Sequence, residues 1–379
     1  MTVGTSKMKS FILSPLNQRR WNNFKSNRRA FYSLLVFIFL TIIASMAEFI
    51  ANDKPLVVSF RGDIVFPIFS GIVTEDKFGG DEGLIVQYSD PAIQCLIKTG
   101  GLLDCYDDPE LIMNKIKTGE INDQNFSLGW IIWPVIPYSF NTINHDVVPA
   151  PGAPDKNHWL GTDDTTRDVL ARVIYGFRIS VAFAAVVVFV SSIIGIIAGA
   201  AMGYFGGWID LVFQRIVEIW ANIPSLYIII IMSAIFSMSF SLLTILVALF
   251  SWTALVGVVR AEFLRARNFE YVRAAKALGL SNSKIIFRHV LPNAMVATVT
   301  MLPFLFTGAI GALTSLDFLG FGLPPSYPSL GELALQAKQN LHAPWLAFTA
   351  FVVISVMLSL LVFIFEGIRD AFDPRKTFS

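Results

Sequence analysis

Charge is what this chain has least of. Asp, Glu, Lys and Arg make up 15% of its 379 residues, where a soluble domain carries about a quarter. That shortage excludes a well-solvated surface over most of the chain. A phosphate cradle is also missing. No G-x-x-x-x-G-K-[ST] occurs, and the dipeptide Gly-Lys is itself absent, so P-loop ATP hydrolysis is excluded. There is no H-E-x-x-H and no G-x-S-x-G, which removes support for zinc-protease and serine-hydrolase chemistry. Gly320-x-Gly322 runs into Leu-Pro-Pro rather than a helix start, so it is no dinucleotide site. Cysteine is scarce, with Cys95 and Cys105 alone. Their spacing suggests no metal site; a disulfide and two free thiols both remain open. A net charge of +1 gives no reason to expect a nucleic-acid partner. No period of 20–50 residues marks a solenoid or propeller.

What is present is apolar and gathered in blocks. Hydrophobic residues make up 54% of the chain, and the mean hydropathy is +0.60. Residues 179–209, 219–259, 290–316 and 339–365 contain no Asp, Glu, Lys or Arg. A bilayer core about 30 Å thick needs roughly 20 apolar helical residues, so each block is long enough to span. The stretch from Ile219 to Val259 is too long for one span, and two spans turning at Ser237–Ser241 fit better. The expectation is an all-α membrane protein with six spans at about 30–50, 179–205, 215–237, 241–261, 293–316 and 345–367. Pro224 should bend the third span near its start. The first segment has a long basic tail and no A-x-A cleavage site, so it reads as a signal anchor rather than a cleaved leader.

Charge bias orients these spans. Residues 1–29 carry Lys7, Lys9, Arg19, Arg20, Lys25, Arg28 and Arg29 and no acid. Residues 51–168 carry eighteen acids against eight bases. The positive-inside rule puts the basic tail in the cytoplasm and the acidic insertion 51–156 outside. Six spans then return the tail 368–379 to the cytoplasm. The loop after span four falls inside and is basic, with Arg260, Arg265, Arg267, Arg273, Lys276, Lys284 and Arg288 against Glu262 and Glu270. The 317–344 loop falls outside. The insertion shows β-like runs at Leu56–Phe60 and Ile64–Phe69, and the 149–154 stretch reads as an extended linker. Asn125-Phe-Ser127 fits a short glycosylation sequon, a pattern commonly met by chance. Asp163 or Asp164 should cap a helix beginning near Thr165, whose face of Val169, Leu170, Val173, Ile174 and Phe177 lies at the outer interface. Near the span ends, Glu48 and Arg260 read as snorkelling side chains, and Arg215 and Glu218 as a helix-face pair.

The loop 260–293 carries the most specific pattern. Glu270–Asn293 reads EYVRAAKALGLSNSKIIFRHVLPN, a helix, a turn and a second helix. Gly279 suits the positive φ that ends a helix, and Ser281 suits the cap of the next. Ala274, Ala275 and Ala277 permit close approach of another surface, and Tyr271 and Leu278 offer anchors for it. An ordinary basic loop would satisfy the charge rule equally well. The order Ala274-Ala275, Gly279, Leu291-Pro292 goes further, because it resembles the "EAA loop" of binding-protein-dependent ABC importers. Arg273 stands where that family usually keeps Glu; peptide-type permeases often carry Arg at that place. NHWLGTDDTTRDVLARVIYGFRIS (157–180) and TSLDFLGFGLPPSYPSLGEL (314–333) resemble the dipeptide and oligopeptide permeases of that group, though Thr166 replaces a usual glycine.

The resemblance implies a type I ABC importer permease fold of six transmembrane helices with a periplasmic insertion between helices one and two, the permease core running over 157–367. It implies residence in the bacterial inner membrane and translocation of peptides, oligopeptides among them, and leaves passage of peptide antibiotics open. It also implies ATPase coupling through Tyr271, Arg273, Ala274, Ala275, Leu278, Gly279, Leu291 and Pro292. No catalytic residue, metal or cofactor follows from it. The implied partners are a second homologous permease, ABC ATPase subunits and a periplasmic peptide-binding protein. Its rivals are a secondary transporter, which predicts inverted repeats and intramembrane charges, and a non-transporting scaffold or sensor.

Overall fold

The computed structural model describes residues 15–101, 103–120 and 128–372. In chain order, α1 (Pro15–Ser26) leads to α2 (Arg28–Ser45) and the short α3 (Ala47–Ile50). Strands β1 (Val57–Phe60) and β2 (Asp63–Val65) follow, then α4 (Pro91–Thr99), α5 (Pro109–Thr118) and β3 (Trp130–Ile132). The long α6 (Val169–Phe205) precedes α7 (Gly207–Ala221), α8 (Ser225–Ile235), α9 (Phe240–Ser251) and α10 (Thr253–Ala266). The chain continues through α11 (Glu270–Ala277), α12 (Asn282–Ile285), α13 (Leu291–Phe318), α14 (Leu330–Gln339) and α15 (Pro344–Phe372). Two compact units emerge. One contains residues through 41, 179–324 and those from 351; the other contains 42–178 and 325–350.

Five helical stretches are long and apolar enough to cross a membrane: Arg28–Ser45, Val169–Phe205, Phe240–Ala266, Asn282–Phe318 and Pro344–Phe372. The pair α7 and α8 passes the same test together but bends by 62°. Counted as one broken span it makes six, the number expected. Pro224 produces the bend, because it has no N–H to continue the ladder of α7. It sits at the junction of the two halves rather than near the start, since the span begins at Gly207. The turn expected at Ser237–Ser241 lies at 236–239, and the Ser239 hydroxyl accepts from Leu242 N to cap α9.

In the first unit, the α6 residues Gly195, Gly199 and Gly203 lie one helical turn apart. A Cβ on Gly199 would stand 2.8 Å from the Val256 carbonyl oxygen and 2.8 Å from Val259 Cβ. One on Gly195 would stand 2.8 Å from Leu255 Cβ. Only glycine lets α6 and α10 approach this closely, a small-xxx-small seam of the kind that packs helices in lipid.

The second unit holds the insertion. Its sheet has order β2-β1-β3, antiparallel throughout, with Val58 facing Val65 on one side and Ile131 on the other. Strand β2 stops at Val65, because Phe66 begins a turn that accepts from Phe69 N. Val58, Phe78, Ile93, Leu96 and Ile97 form a core with Cys95 and Cys105. Those two cysteines are bonded as a disulfide and fully buried, which resolves the question the sequence left open. The sequon at 125–127 and the basic residues Lys7 and Lys9 lie outside the described residues.

Three expectations are corrected in this unit. Helix α6 begins at Val169, not Thr165, and it continues into the second span. Asp168 caps it through Ala171 N (2.8 Å), while Asp163 closes the preceding turn by accepting from Thr165 N and Arg167 N. The predicted interfacial face is internal: Val169 packs with Ala337, Ala343 and Leu346, while Leu170 and Ile174 pack around Ala47, Ala171 and Tyr175. Glu48 does not snorkel alone either, because both of its oxygens accept from Arg178 Nη1, at 2.7 and 2.9 Å.

Candidate functional site

The loop between α10 and α13 is built from inside outward. Helix α11 presents Val272 and Ala275 to a core made by Ala200, Tyr204, Val259, Phe263, Ala266, Ile285, Val290 and Ala294. Ala275 is 5% exposed. Its smallness therefore serves packing within this chain rather than approach of another surface, a correction to the sequence reading. Ala274 and Ala277 are exposed as expected.

Gly279 ends α11 with φ +75°, and Leu280 N reaches back to the Ala275 carbonyl at 3.2 Å. This is the left-handed helix stop that glycine favours. Ser281 stands at the start of α12 with no side-chain cap, and its backbone carbonyl accepts from Ile285 N at 3.1 Å. Residues Ile286–Val290 form one π-helical turn that joins α12 to α13, with Pro292 at the second position of α13.

Three polar contacts hold the loop to its neighbours. Tyr204 Oη donates to Asn282 Oδ1 at 2.9 Å, and Lys276 Nζ sits 5.0 Å from the centre of the Tyr204 ring. Asn293 Nδ2 donates to Tyr271 Oη at 3.0 Å. Behind the loop, Arg260 grips Asp210 through two bonds of 2.5 and 2.7 Å. Arg260 is thus a paired residue, contrary to the expectation that it snorkels, and the fork geometry fixes α10 to α7. Arg215 and Glu218 pair as expected, at 2.5 Å.

What the loop leaves uncovered is apolar. Leu278 is 81% exposed, Phe287 69%, and Tyr271 40%. Arg273 and Gly279 are exposed beside them, and no ion pair among the described residues involves Arg273. Leu291 is half-buried and Pro292 exposed. Of the eight residues singled out from sequence, Ala275 faces inward, Leu291 sits at the margin, and the other six are exposed on this loop. The loop therefore combines an inner face anchored against α10 and α13 with a leucine that projects from its tip. Among the described residues, no group of three His, Cys, Asp or Glu could hold a metal.

Sequence reasoning missed a second polar centre, which belongs to the other unit. Asp163, Arg167, Arg172 and Glu332 are each at least nine-tenths buried. Arg167 Nε donates to Asp163 Oδ2 at 2.8 Å, and Arg172 pairs with Glu332. Arg167 Nη1 and Arg172 Nη2 also donate to the carbonyls of Pro325 (2.9 Å) and Tyr327 (3.2 Å). Burial pushes the Glu332 carboxyl upward, against the pull of the Arg172 and Arg167 guanidiniums. The signal available in the sequence was four charges in otherwise apolar or turn-rich stretches, but Arg172 and Glu332 lie 160 residues apart.

Comparison with known proteins agrees with this architecture. Residues 191–378 match the family described as "binding-protein-dependent transport system inner membrane component", and residues 14–61 match the "N-terminal TM domain of oligopeptide transport permease C". The chain is 48% identical to the peptidoglycan transport system permease protein YejE of Agrobacterium fabrum, over 96% of this chain and 94% of that protein. It is 46% identical to the inner membrane ABC transporter permease protein YejE of Escherichia coli, over 96% of this chain and 98% of that one. The oligopeptide permease OppC of Lactococcus lactis matches at 36% identity over 58% of this chain and 76% of its own length. A chain of the MetNI methionine ABC transporter aligns over 53% of this chain and 96% of its own, with TM-score 0.45 and 18% identity. Near-full-length identity to two YejE proteins, on a framework of apolar spanning helices, makes this chain a member of the inner-membrane permease family of binding-protein-dependent ABC importers, in its YejE branch.

Proposed function

We propose that this permease translocates peptides across the inner membrane under the force of an ABC ATPase docked on the loop 270–293. The observation that carries the reading is the contrast within that loop. Val272 and Ala275 are locked into the permease core, while Leu278 projects with 81% of its surface exposed. A soluble ATPase supplies a groove for such a residue, and burying it there would stabilise the contact. Tyr271, Arg273, Ala274, Leu278, Gly279 and Pro292 make the docking face. Ala275 and Leu291 act from behind it, by setting the position of α11 against α13.

In this reading the tails 1–29 and 368–379 and the coupling loop are cytoplasmic, and the acidic insertion 51–156 is periplasmic. The charge asymmetry between these segments supports that orientation. The disulfide Cys95–Cys105 agrees with an oxidising compartment. A binding protein delivers peptide from the periplasm, and a second, homologous permease completes the pathway. Similarity to oligopeptide and dipeptide permeases supports peptides as the cargo. ATP-driven closure of the ATPases shifts the spans between inward- and outward-open states, and it does so only to the extent that nucleotide binds those states differently.

Affinity purification of the tagged full chain from its own membrane tests the assembly. An ABC ATPase and a second permease should co-purify. Recovery of the chain alone, in a detergent that preserves its fold, would contradict the reading.

A further inference from the structure

A second corner of the first unit forms where α1 meets the start of α2 and the C-terminal end of α15. Helix α1 is basic without an acid, and with the turn after it supplies Arg19, Arg20, Lys25, Arg28 and Arg29. None of the ion pairs among the described residues involves Arg20, Lys25, Arg28 or Arg29. By contrast, Arg215, Arg260 and Arg265 each hold a carboxylate. The corner is rigid. Phe24, Ala30 and Ala371 are buried together, and a Cβ on Gly367 would collide with both Phe24 and Ala30.

Two recesses flank this corner. One has a volume of about 410 Å³ and is almost wholly apolar, with walls from Trp21, Phe24, Leu34, Ile364 and Ile368. Arg20 stands at its rim, with its guanidinium 4.4 Å from the Phe372 ring centre. The other has a volume of about 400 Å³ and is lined by Arg28, Arg29, Ser26, Asn27, Phe363 and Glu366. Its two cations outnumber its one acid. An apolar slot beside a cationic one matches a molecule with a hydrocarbon tail and an anionic head. The slot walls Leu34 and Ile364 belong to helices long and apolar enough to span, so an acyl chain can lie beside them. Among the five unbroken spans of the described residues, α2 is the least covered, with 17% of its most apolar window buried within the chain.

We infer that this corner binds one anionic phospholipid, its acyl chain against Trp21, Leu34 and Ile368 and its phosphate against Arg28 and Arg29. A cluster of Lys and Arg beside a spanning segment is the setting in which acidic lipids are recognised. Glu366 opposes the headgroup and weakens the site.

The test uses the full chain in phosphatidylcholine nanodiscs with and without phosphatidylglycerol, and native mass spectrometry of the retained lipid. Wild type should retain one phosphatidylglycerol in preference to phosphatidylcholine, and inorganic phosphate should not displace it. Arg28→Gln with Arg29→Gln should lower that preference about thirtyfold, at about a factor of five per surface cation. Glu366→Gln should raise it by about fivefold, in the opposite direction. Both sets of residues are on the surface side of the corner, and unchanged thermal unfolding would establish that the fold is intact. Equal retention of both lipids, or variants indistinguishable from wild type, would overturn the site. So would a photocrosslinker at position 21 that captures a partner subunit rather than lipid in the assembled importer.

Discussion

Replacing Leu278 by Ser separates docking from folding. Leu278 is 81% exposed, and it follows the last turn of α11 at the tip of the loop. The substitution removes almost no contact within the chain, so thermal stability should move by less than about 0.5 kcal/mol, as for surface changes generally. In the assembled importer the same side chain would be buried. Full burial of a leucine stabilises by about 1.5–3 kcal/mol. Loss of that term weakens ATPase affinity by roughly 10- to 150-fold. The assay is a titration of purified ATPase onto the chain in nanodiscs, paired with ATP-driven peptide uptake by the reconstituted complex. Both should fall together while the melting profile stays unchanged. Affinity and uptake at wild-type level would refute the reasoning, because an exposed leucine that no partner covers should not matter. Ala275→Asp is the contrasting case. Ala275 is buried against Phe263 and Val272, so an unpaired carboxylate there should destabilise the permease itself.

Three further outcomes follow from the geometry. Gly279→Val should strain the α11 stop by about 1–2 kcal/mol because φ is +75°, whereas Gly279→Asn should be nearly neutral; hydrogen exchange over 270–285 would register the difference. Gly199→Leu should cost about 1–3 kcal/mol by overpacking against the Val256 carbonyl and Val259, seen as a lower melting temperature, and failure to shift it would dissolve the α6–α10 seam. Arg172→Ala should destabilise by about 3–5 kcal/mol because Glu332 and Asp163 are left buried beside a missing cation, and a variant in which Arg172 and Glu332 are both replaced by apolar residues of similar size should recover much of that loss.

Much of this was legible along the chain because a bilayer imposes a coarse requirement. Charge-free blocks of spanning length gave six spans, and Pro224 gave the break in the third. Gly279 marked the loop turn because few other residues tolerate its φ. The parts that stayed hidden depend on contacts far apart in sequence. The apolar face of Val169, Leu170, Val173, Ile174 and Phe177 suggested an interfacial helix before span two, but within the fold Val169 and Val173 pack with Ala337 and Leu346, and Leu170 and Ile174 with Ala47 and Tyr175. Ala274 and Ala275 look alike in sequence; only the position of Phe263 and Val272 decides that one faces out and the other in. Asp210, half-buried in an apolar stretch, was likewise unreadable until Arg260 supplied its partner. The insertion's fold required knowing that Ile131 returns to pair with Val58.

The projecting tip of the α11–α12 turn is the proposed point of contact with the ATPase. Cys95 and Cys105 are bonded to each other, so Leu278→Cys would introduce the chain's one free thiol. In membranes holding the whole importer, a short thiol crosslinker should join position 278 to an ABC ATPase subunit, with a yield that changes when ATP is bound. Contradiction would be a thiol at 278 that a membrane-impermeant reagent labels from the periplasmic side and that forms no adduct with the ATPase.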